Sequence, residues 1–146
     1  MSDLRELYQE TILDHNKHPR NFRRLEGATH QAHGHNPLCG DRVDVYLKVS
    51  DGRIVDISFE GDGCAISTAS ASIMTEMLQG RSLEQAQQLF DRFHDLLIGK
   101  AEAGEELGKL EVLAGVRAFP TRVKCATLPW HTFKAALHNE TAATTE

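Results

Sequence analysis

Three cysteines and one aspartate are the residues of this chain whose types and settings suit metal and sulfur chemistry. Cys39 lies in Asn36-Pro37-Leu38-Cys39-Gly40-Asp41, just before an expected strand. Cys64 follows Gly61-Asp62-Gly63 and precedes an expected helix, and Cys125 follows a loop containing Pro120 and is read as opening the last helix. At a helix N-terminus, unpaired N–H groups and the helix dipole favour thiolate, the form that binds metal and attacks sulfur. Asp41 stands two residues after Cys39 with a glycine between, so one turn can aim sulfur and carboxylate at a common centre. Three thiolates and a carboxylate make a tetrahedral set that suits zinc, and three soft ligands argue against magnesium or calcium. No local Cys-x-x-Cys pair is present, so spacing alone is a weak signal. Glycines beside Cys39 and Cys64 strengthen it, because metal sites need close backbone approach. The plain alternative is three buried, inert thiols.

Other ligands compete for these roles. Asp62 is a rival to Asp41 as the fourth ligand, although an aspartate in a Gly-Asp-Gly turn has a sufficient structural explanation. His30, His33 and His35 cluster in a glycine-containing stretch expected to be loop or short strand, where they could bind metal adventitiously. His15 and His18 end a helix, where the charged form suits the dipole. His94, His131 and His138 fall on helices and read as surface residues.

The elements that must position these groups follow from periodicity. Leu4, Leu7, Tyr8 and Ile12 recur at helical spacing, with Ser2 or Asp3 as cap and an end before Pro19. Residues 21–40 carry glycine and proline breaks and read as loop or short strand. Val43, Val45, Leu47 and Val49 alternate with Asp44, Tyr46 and Lys48; Asp51-Gly52 supplies a turn, and Val55, Ile57 and Phe59 alternate again. That pattern predicts an antiparallel hairpin. Ala65 to Leu78, rich in small residues, predicts a helix closing at Gly80. Ser82 and Gln85 form a capping-box pattern before the stripe Leu89, Phe93, Leu96 and Leu97. Residues 99–109 read as loop, Leu110 to Val116 as helix, and Arg117 to Lys124 as loop. Cys125 then opens a helix whose first turn must contain Pro129. The expected fold class is α+β, a small antiparallel sheet with helices packed mainly on one face.

Composition narrows the function. The chain has 146 residues, 40% hydrophobic and 25% charged, which fits one compact domain over residues 1–140 with a frayed tail over 141–146. A net charge of −5 argues against nucleic acid or an anionic membrane as partner. The charged, amphipathic start is unlike a signal peptide, and no apolar run approaches the roughly 20 residues of a membrane span. The expectation is a soluble, cytoplasmic protein, and its odd cysteine count of 3 argues against a disulfide framework.

Several separate stretches carry a resemblance. Leu7-Tyr8-Gln9-Glu10, Ile12-Leu13-Asp14-His15, Pro19-Arg20-Asn21, the Asn36 to Asp41 segment and Gly61-Asp62-Gly63-Cys64-Ala65-Ile66-Ser67 resemble the IscU/SufU proteins of iron–sulfur cluster assembly, also described as NifU N-terminal-like. The match runs from about residue 5 to residue 138. IscU scaffolds carry a histidine just before the third cysteine and a shorter stretch between the second and third; here the position holds Lys124 and the stretch is long, as in SufU. Asn16 departs from the tyrosine common in the family.

The resemblance implies a zinc ion held by Cys39, Asp41, Cys64 and Cys125, and a PLP-dependent cysteine desulfurase of the SufS type as partner. On that picture a histidine of the desulfurase displaces one zinc thiolate, and the released Cys39 takes the persulfide sulfur, a zinc-dependent sulfurtransferase role. Cys39 suits the part of acceptor because its glycine- and proline-flanked loop has no helix directly after it. Arg122 and Lys124 are expected to place positive charge near the thiolate centre, or else to be solvated loop residues. An IscU-like scaffold assembling a transient [2Fe–2S] cluster on the same residues is the alternative, and a purely structural zinc site the third reading.

Overall fold

The computed structural model describes residues 2–38, 40–100, 105–140 and 142–144, with side chains described from residue 8 onward except at 105–106. Helix α1 spans Ser2–Lys17, followed by strands β1 His30–Asn36, β2 Asp41–Ser50 and β3 Arg53–Asp62. Helices α2 Ala65–Leu78 and α3 Leu83–Leu97 come next, then 3₁₀ turns over Glu105–Ala118, helix α4 Pro120–Leu137 and strand β4 Ala142–Thr144. The sheet order is β3-β2-β1-β4.

The β2–β3 hairpin forms where expected. Asp51 and Gly52 both have positive φ, 52° and 73°, the backbone a two-residue type I′ turn requires. One detail differs. A bulge at Lys48/Val49 pairs Val49 with Ile54, so Val55 is pushed outward and Ile54 takes the buried place expected of Val55. Val43, Val45, Leu47, Ile54, Ile57 and Phe59 form the sheet's share of the core.

The stretch read as loop or short strand contributes a seven-residue strand, β1, antiparallel to β2. Its buried positions are Ala32, Gly34 and Asn36, too small or polar to show as apolar alternation. A side chain at Gly34 would collide with Thr132, its Cβ falling 1.9 Å from the threonine Oγ1, so α4 lies directly on the β1 backbone. The sheet is mixed rather than wholly antiparallel, because β4 runs parallel to β1. Its residues Ala142–Thr144 belong to the tail expected to fray; residues 141, 145 and 146 lie outside the described ones.

Helix α2 has the predicted bounds, and its buried Ser67, Ala69, Ser70, Ala71 and Ser72 let α1 and α4 approach closely on either side. Helix α3 begins with the predicted capping box, Ser82 Oγ accepting from Gln85 N–H while Gln85 accepts from Ser82 N–H. Residues 105–109, read as loop, and 110–116, read as helix, belong instead to 3₁₀ turns broken at Gly108, whose φ of 49° favours glycine. The rest of the expected loop, 101–104, lies outside the described residues.

The largest correction concerns α4. Pro120 takes the first turn, where its missing N–H costs nothing and its fixed φ suits the helix, so the helix starts five residues before Cys125. Cys125 is therefore in the second turn and not at the N-terminus, and Pro129 sits inside the helix. Trp130 and Phe133 from α4 are fully buried in the core, Trp130 against Phe90 and Phe93 of α3, each contributing about 1.5–3 kcal/mol by burial.

Candidate metal centre

The start of β2, the start of α2 and the second turn of α4 meet at one end of the sheet. Each brings one ligand-type atom. The carboxylate of Asp41, Sγ of Cys64 and Sγ of Cys125 all lie within 4.8 Å of one another. Asp41 is 1% exposed and Cys125 6%, whereas Cys64 is exposed.

Local hydrogen bonds hold this geometry. Cys64 is the N-cap of α2, and its Sγ accepts from Ser67 N–H at 3.4 Å. The Cys64 N–H donates to Asp41 Oδ1 at 2.9 Å, and its thiol donates to Asp41 Oδ2 at 3.5 Å. The glycine before Cys64 is needed for closeness: a Cβ at Gly63 would lie 3.1 Å from Asp41 Oδ1. Gly40 has another reason, a φ of 76° with open space around its missing Cβ. Cys39 itself lies outside the described residues. Its flanks are fixed by the buried Asn36, whose carbonyl accepts from Gly40 N–H at 2.8 Å and whose Oδ1 accepts from Leu38 N–H at 3.1 Å.

The electrostatics oppose expectation at Cys64. Although the residue is exposed, partial burial of its sulfur pushes the thiol above the ordinary value, the Ser67 N–H offsets part of that, and the Asp41 carboxylate raises it further. The helix terminus alone does not make a thiolate here. Two sulfurs and a carboxylate converge, an arrangement that a divalent metal would satisfy. The fit is close: a tetrahedron with zinc–sulfur bonds of about 2.3 Å has edges of about 3.8 Å, so no pair of the three atoms need close by more than about 1 Å.

Asp62, the rival ligand, is exposed on β3 and outside this cluster. His30, His33 and His35 occupy a strand rather than a loop; His33 Nδ1 pairs with Asp44 at 2.9 Å and His30 with Thr29. His15, in the last turn of α1, is fully buried: Nδ1 lies 2.7 Å from Ser72 Oγ, and Nε2 lies 3.3 Å from Lys109 Nζ and 3.5 Å from Glu76 Oε1. Burial, then Arg20 and Lys109, hold its pKa below the ordinary value. His131 is half-buried against Phe90 and His94, and burial depresses it too; His138 is exposed as expected.

A cleft of about 530 Å³ opens at the cluster, lined among others by Leu38, Cys64, Ile66, Arg122, Lys124 and Cys125. The Arg122 guanidinium rests over the Phe119 ring, 4.7 Å from its centroid. Ile66 and Arg122 also line a neighbouring groove of about 780 Å³, walled by Tyr8, Ile12, Val112 and Val116. That groove was missed in the sequence, because its residues read there as ordinary core stripes and nothing local shows that they stay partly uncovered.

Comparison with known proteins follows the same lines. The NifU-like N terminal domain family matches residues 7–138. The chain is 42% identical over 138 residues to the iron-sulfur cluster assembly scaffold protein IscU of Streptococcus pyogenes serotype M1, covering 94% of this chain and 86% of that one. It is 39% identical over 140 residues to the zinc-dependent sulfurtransferase SufU of Bacillus subtilis, covering 95% of each. The crystal structure of a SufU from Fervidobacterium islandicum AW-1, described as a scaffold protein for the SUF system, superposes with a TM-score of 0.84 at 36% identity, covering 88% of this chain and 94% of that one. With an α+β fold shared with that structure and a match across nearly its whole length, the chain belongs to the NifU-like N terminal domain family, the IscU/SufU proteins.

Proposed function

We propose that this protein serves iron–sulfur cluster assembly as a SufU-type sulfur acceptor, holding zinc through Cys39, Asp41, Cys64 and Cys125 and taking sulfur on Cys39. The observation that carries this is the convergence of Asp41, Cys64 and Cys125 beside a cleft whose wall includes Leu38, the neighbour of Cys39. The similarity over 95% of its length to a protein named a zinc-dependent sulfurtransferase supports it.

Zinc, when bound, would keep the cysteine thiols deprotonated at neutral pH. The donor is the persulfide of a PLP-dependent cysteine desulfurase of the SufS type, working in the cytoplasm, where thiols stay reduced. The Cys39 thiolate attacks the outer sulfur of that persulfide. One S–S bond forms as another breaks, and the desulfurase cysteine leaves as thiolate, so no external oxidant or reductant is needed. Asp41, Cys64 and Cys125 hold their positions throughout: the Cys64 N–H stays on Asp41 Oδ1, and Asp41 and Cys125 are buried.

The second reading, a scaffold for a [2Fe–2S] cluster, draws on the relatives from Streptococcus pyogenes and Thermotoga maritima, both named IscU scaffolds. Lys124 beside Cys125, where IscU scaffolds have histidine, favours the first. The test is metal analysis of the protein as isolated, then incubation with a SufS-type desulfurase and cysteine, with mass spectrometry of alkylated peptides. About one zinc per chain and sulfur added to Cys39 are expected. Iron with sulfide in place of zinc would establish the scaffold reading, and sulfur chiefly on Cys64 or Cys125 would overturn the acceptor assignment.

A further inference from the structure

Helix α4 carries Cys125 and also its own defect. Pro129, at i+4 from Cys125, brings no N–H to the turn that runs from 125 to 129. Within that turn Ser70 of α2 donates its hydroxyl to the Ala126 carbonyl at 2.6 Å, one residue on from Cys125. The same Ser70 Oγ accepts from the Trp130 indole Nε1–H at 3.2 Å, on the far side of the proline. Ser70 and Trp130 are both 0% exposed, so these bonds form where no water substitutes for a lost partner. Ser70 stands on α2, the helix that Cys64 caps. One hydroxyl therefore grips the interrupted turn from both sides and ties it to the helix bearing the other cysteine.

We infer that Ser70 and Trp130 are positioning residues for the metal centre, setting Cys125 against Cys64 by locking the proline-broken turn of α4 onto α2. This rests on the proposed function only in taking Cys125 as a zinc ligand; the placement of the two thiols stands apart from it. Loss of a partner bonded to a metal ligand itself typically weakens binding by about 10- to 100-fold, and the Ser70 bond to the carbonyl next to Cys125 is taken on that scale. Coupling is reciprocal, so zinc should tighten the Ser70–Trp130 link by a comparable factor.

The experiment compares Ser70→Ala with Ser72→Ala in the full chain. Ser72 is an equally buried hydroxyl on α2, but it faces α1 through His15 and the Arg20 N–H. Zinc affinity is read by competition with a chromophoric chelator, and ligand geometry by the absorption of the cobalt(II)-loaded protein. Ser70→Ala should lose about 10- to 100-fold in zinc affinity and shift the cobalt bands, while Ser72→Ala lowers the melting temperature with affinity and bands unchanged. Equal affinity and spectra in Ser70→Ala and the unmodified protein would overturn the inference. Should Ser70→Ala not fold, the unmodified protein decides: the chain has 1 tryptophan, so a single indole N–H signal reports the link. Its hydrogen exchange should slow on zinc binding, and an unchanged rate would overturn the inference. If the unmodified protein takes up neither zinc nor cobalt, the zinc reading falls, and phenylarsine oxide, which captures paired thiols, decides the placement. In a metal-free Cys39→Ser background, Ser70→Ala should slow capture by Cys64 and Cys125 on the order of tenfold, and equal rates would overturn the inference.

Discussion

Gly34→Ala is the substitution whose effect the packing defines most sharply. The added Cβ would lie 1.9 Å from Thr132 Oγ1, and 3.1 Å from both Thr132 Cβ and Val43 Cγ1. Ordinary contact begins at about 3.4 Å, so β1 and α4 must part by about 1.5 Å or Thr132 must leave its rotamer and its bond to the Leu128 carbonyl, 2.8 Å long. Overpacking of this kind costs about 1–3 kcal/mol, and the depth of this overlap puts it at the upper end. For a chain of this size, about 3 kcal/mol lowers the melting temperature by roughly 6–12 °C. Thr132→Ala removes the offending oxygen and leaves contacts a few tenths of an ångström short, so the double variant should recover most of the loss, a coupling of about 1–3 kcal/mol. Urea unfolding of the two single variants and the double one, all metal-free, completes the cycle. Additive costs, or a Gly34→Ala effect within about 0.5 kcal/mol of zero, would refute the reasoning.

Folded His15 and His131 both have depressed pKa values, so below the ordinary imidazole pKa of about 6.5 the unfolded chain takes up protons that the folded one refuses. Stability of the metal-free protein should be level above that pH and fall below it, by at most about 1.4 kcal/mol per pH unit for each histidine. His15→Gln should flatten the slope between pH 6.5 and 5.5, a range set by that ordinary value, and urea midpoints across it check this. Arg122→Ala with Lys124→Ala should leave zinc content unchanged while lowering desulfurase stimulation at low salt, a difference that added salt should close. Ser82→Ala removes one half of the capping box and should cost about 1 kcal/mol, read as a lower urea midpoint. Cys125→Ala should lose zinc together with sulfur acceptance, since it removes one of the two buried donors among the described residues; retained zinc at one per chain would argue against its place in the centre.

What the sequence disclosed was whatever local rules decide. The Asp51-Gly52 turn, the Ser82 capping box and the close of α2 before Gly80 rest on a few neighbouring residues each, and all are present. Strand β1 was legible only as loop or short strand, because its buried positions Ala32, Gly34 and Asn36 are small or polar, Gly34 serving closeness to α4 and Asn36 a turn. The start of α4 was misread because a proline at 129 argues locally for a helix beginning late, and only Ser70, 56 residues before Ala126, shows how an interior proline is accommodated. The same division holds at the metal centre. Residue type singled out Asp41, Cys64 and Cys125, but their meeting within 4.8 Å, and the exclusion of Asp62, are products of long-range pairing. The burial of His15 was likewise invisible: Ser72 and Lys109, which surround it, are distant in sequence.

The unequal burial of the three donors has a kinetic meaning. Among the described donors Asp41 and Cys125 are turned inward and Cys64 outward, and the cleft lined by Leu38, Cys64 and Lys124 gives a route to them. Reagents of equal intrinsic reactivity will therefore be sorted by their bulk. A small alkylating agent should label Cys64 well before Cys125, and a slender chelator should strip metal faster than a wide one of the same affinity. The order of attack on the site is thus written into which donor each element leaves uncovered.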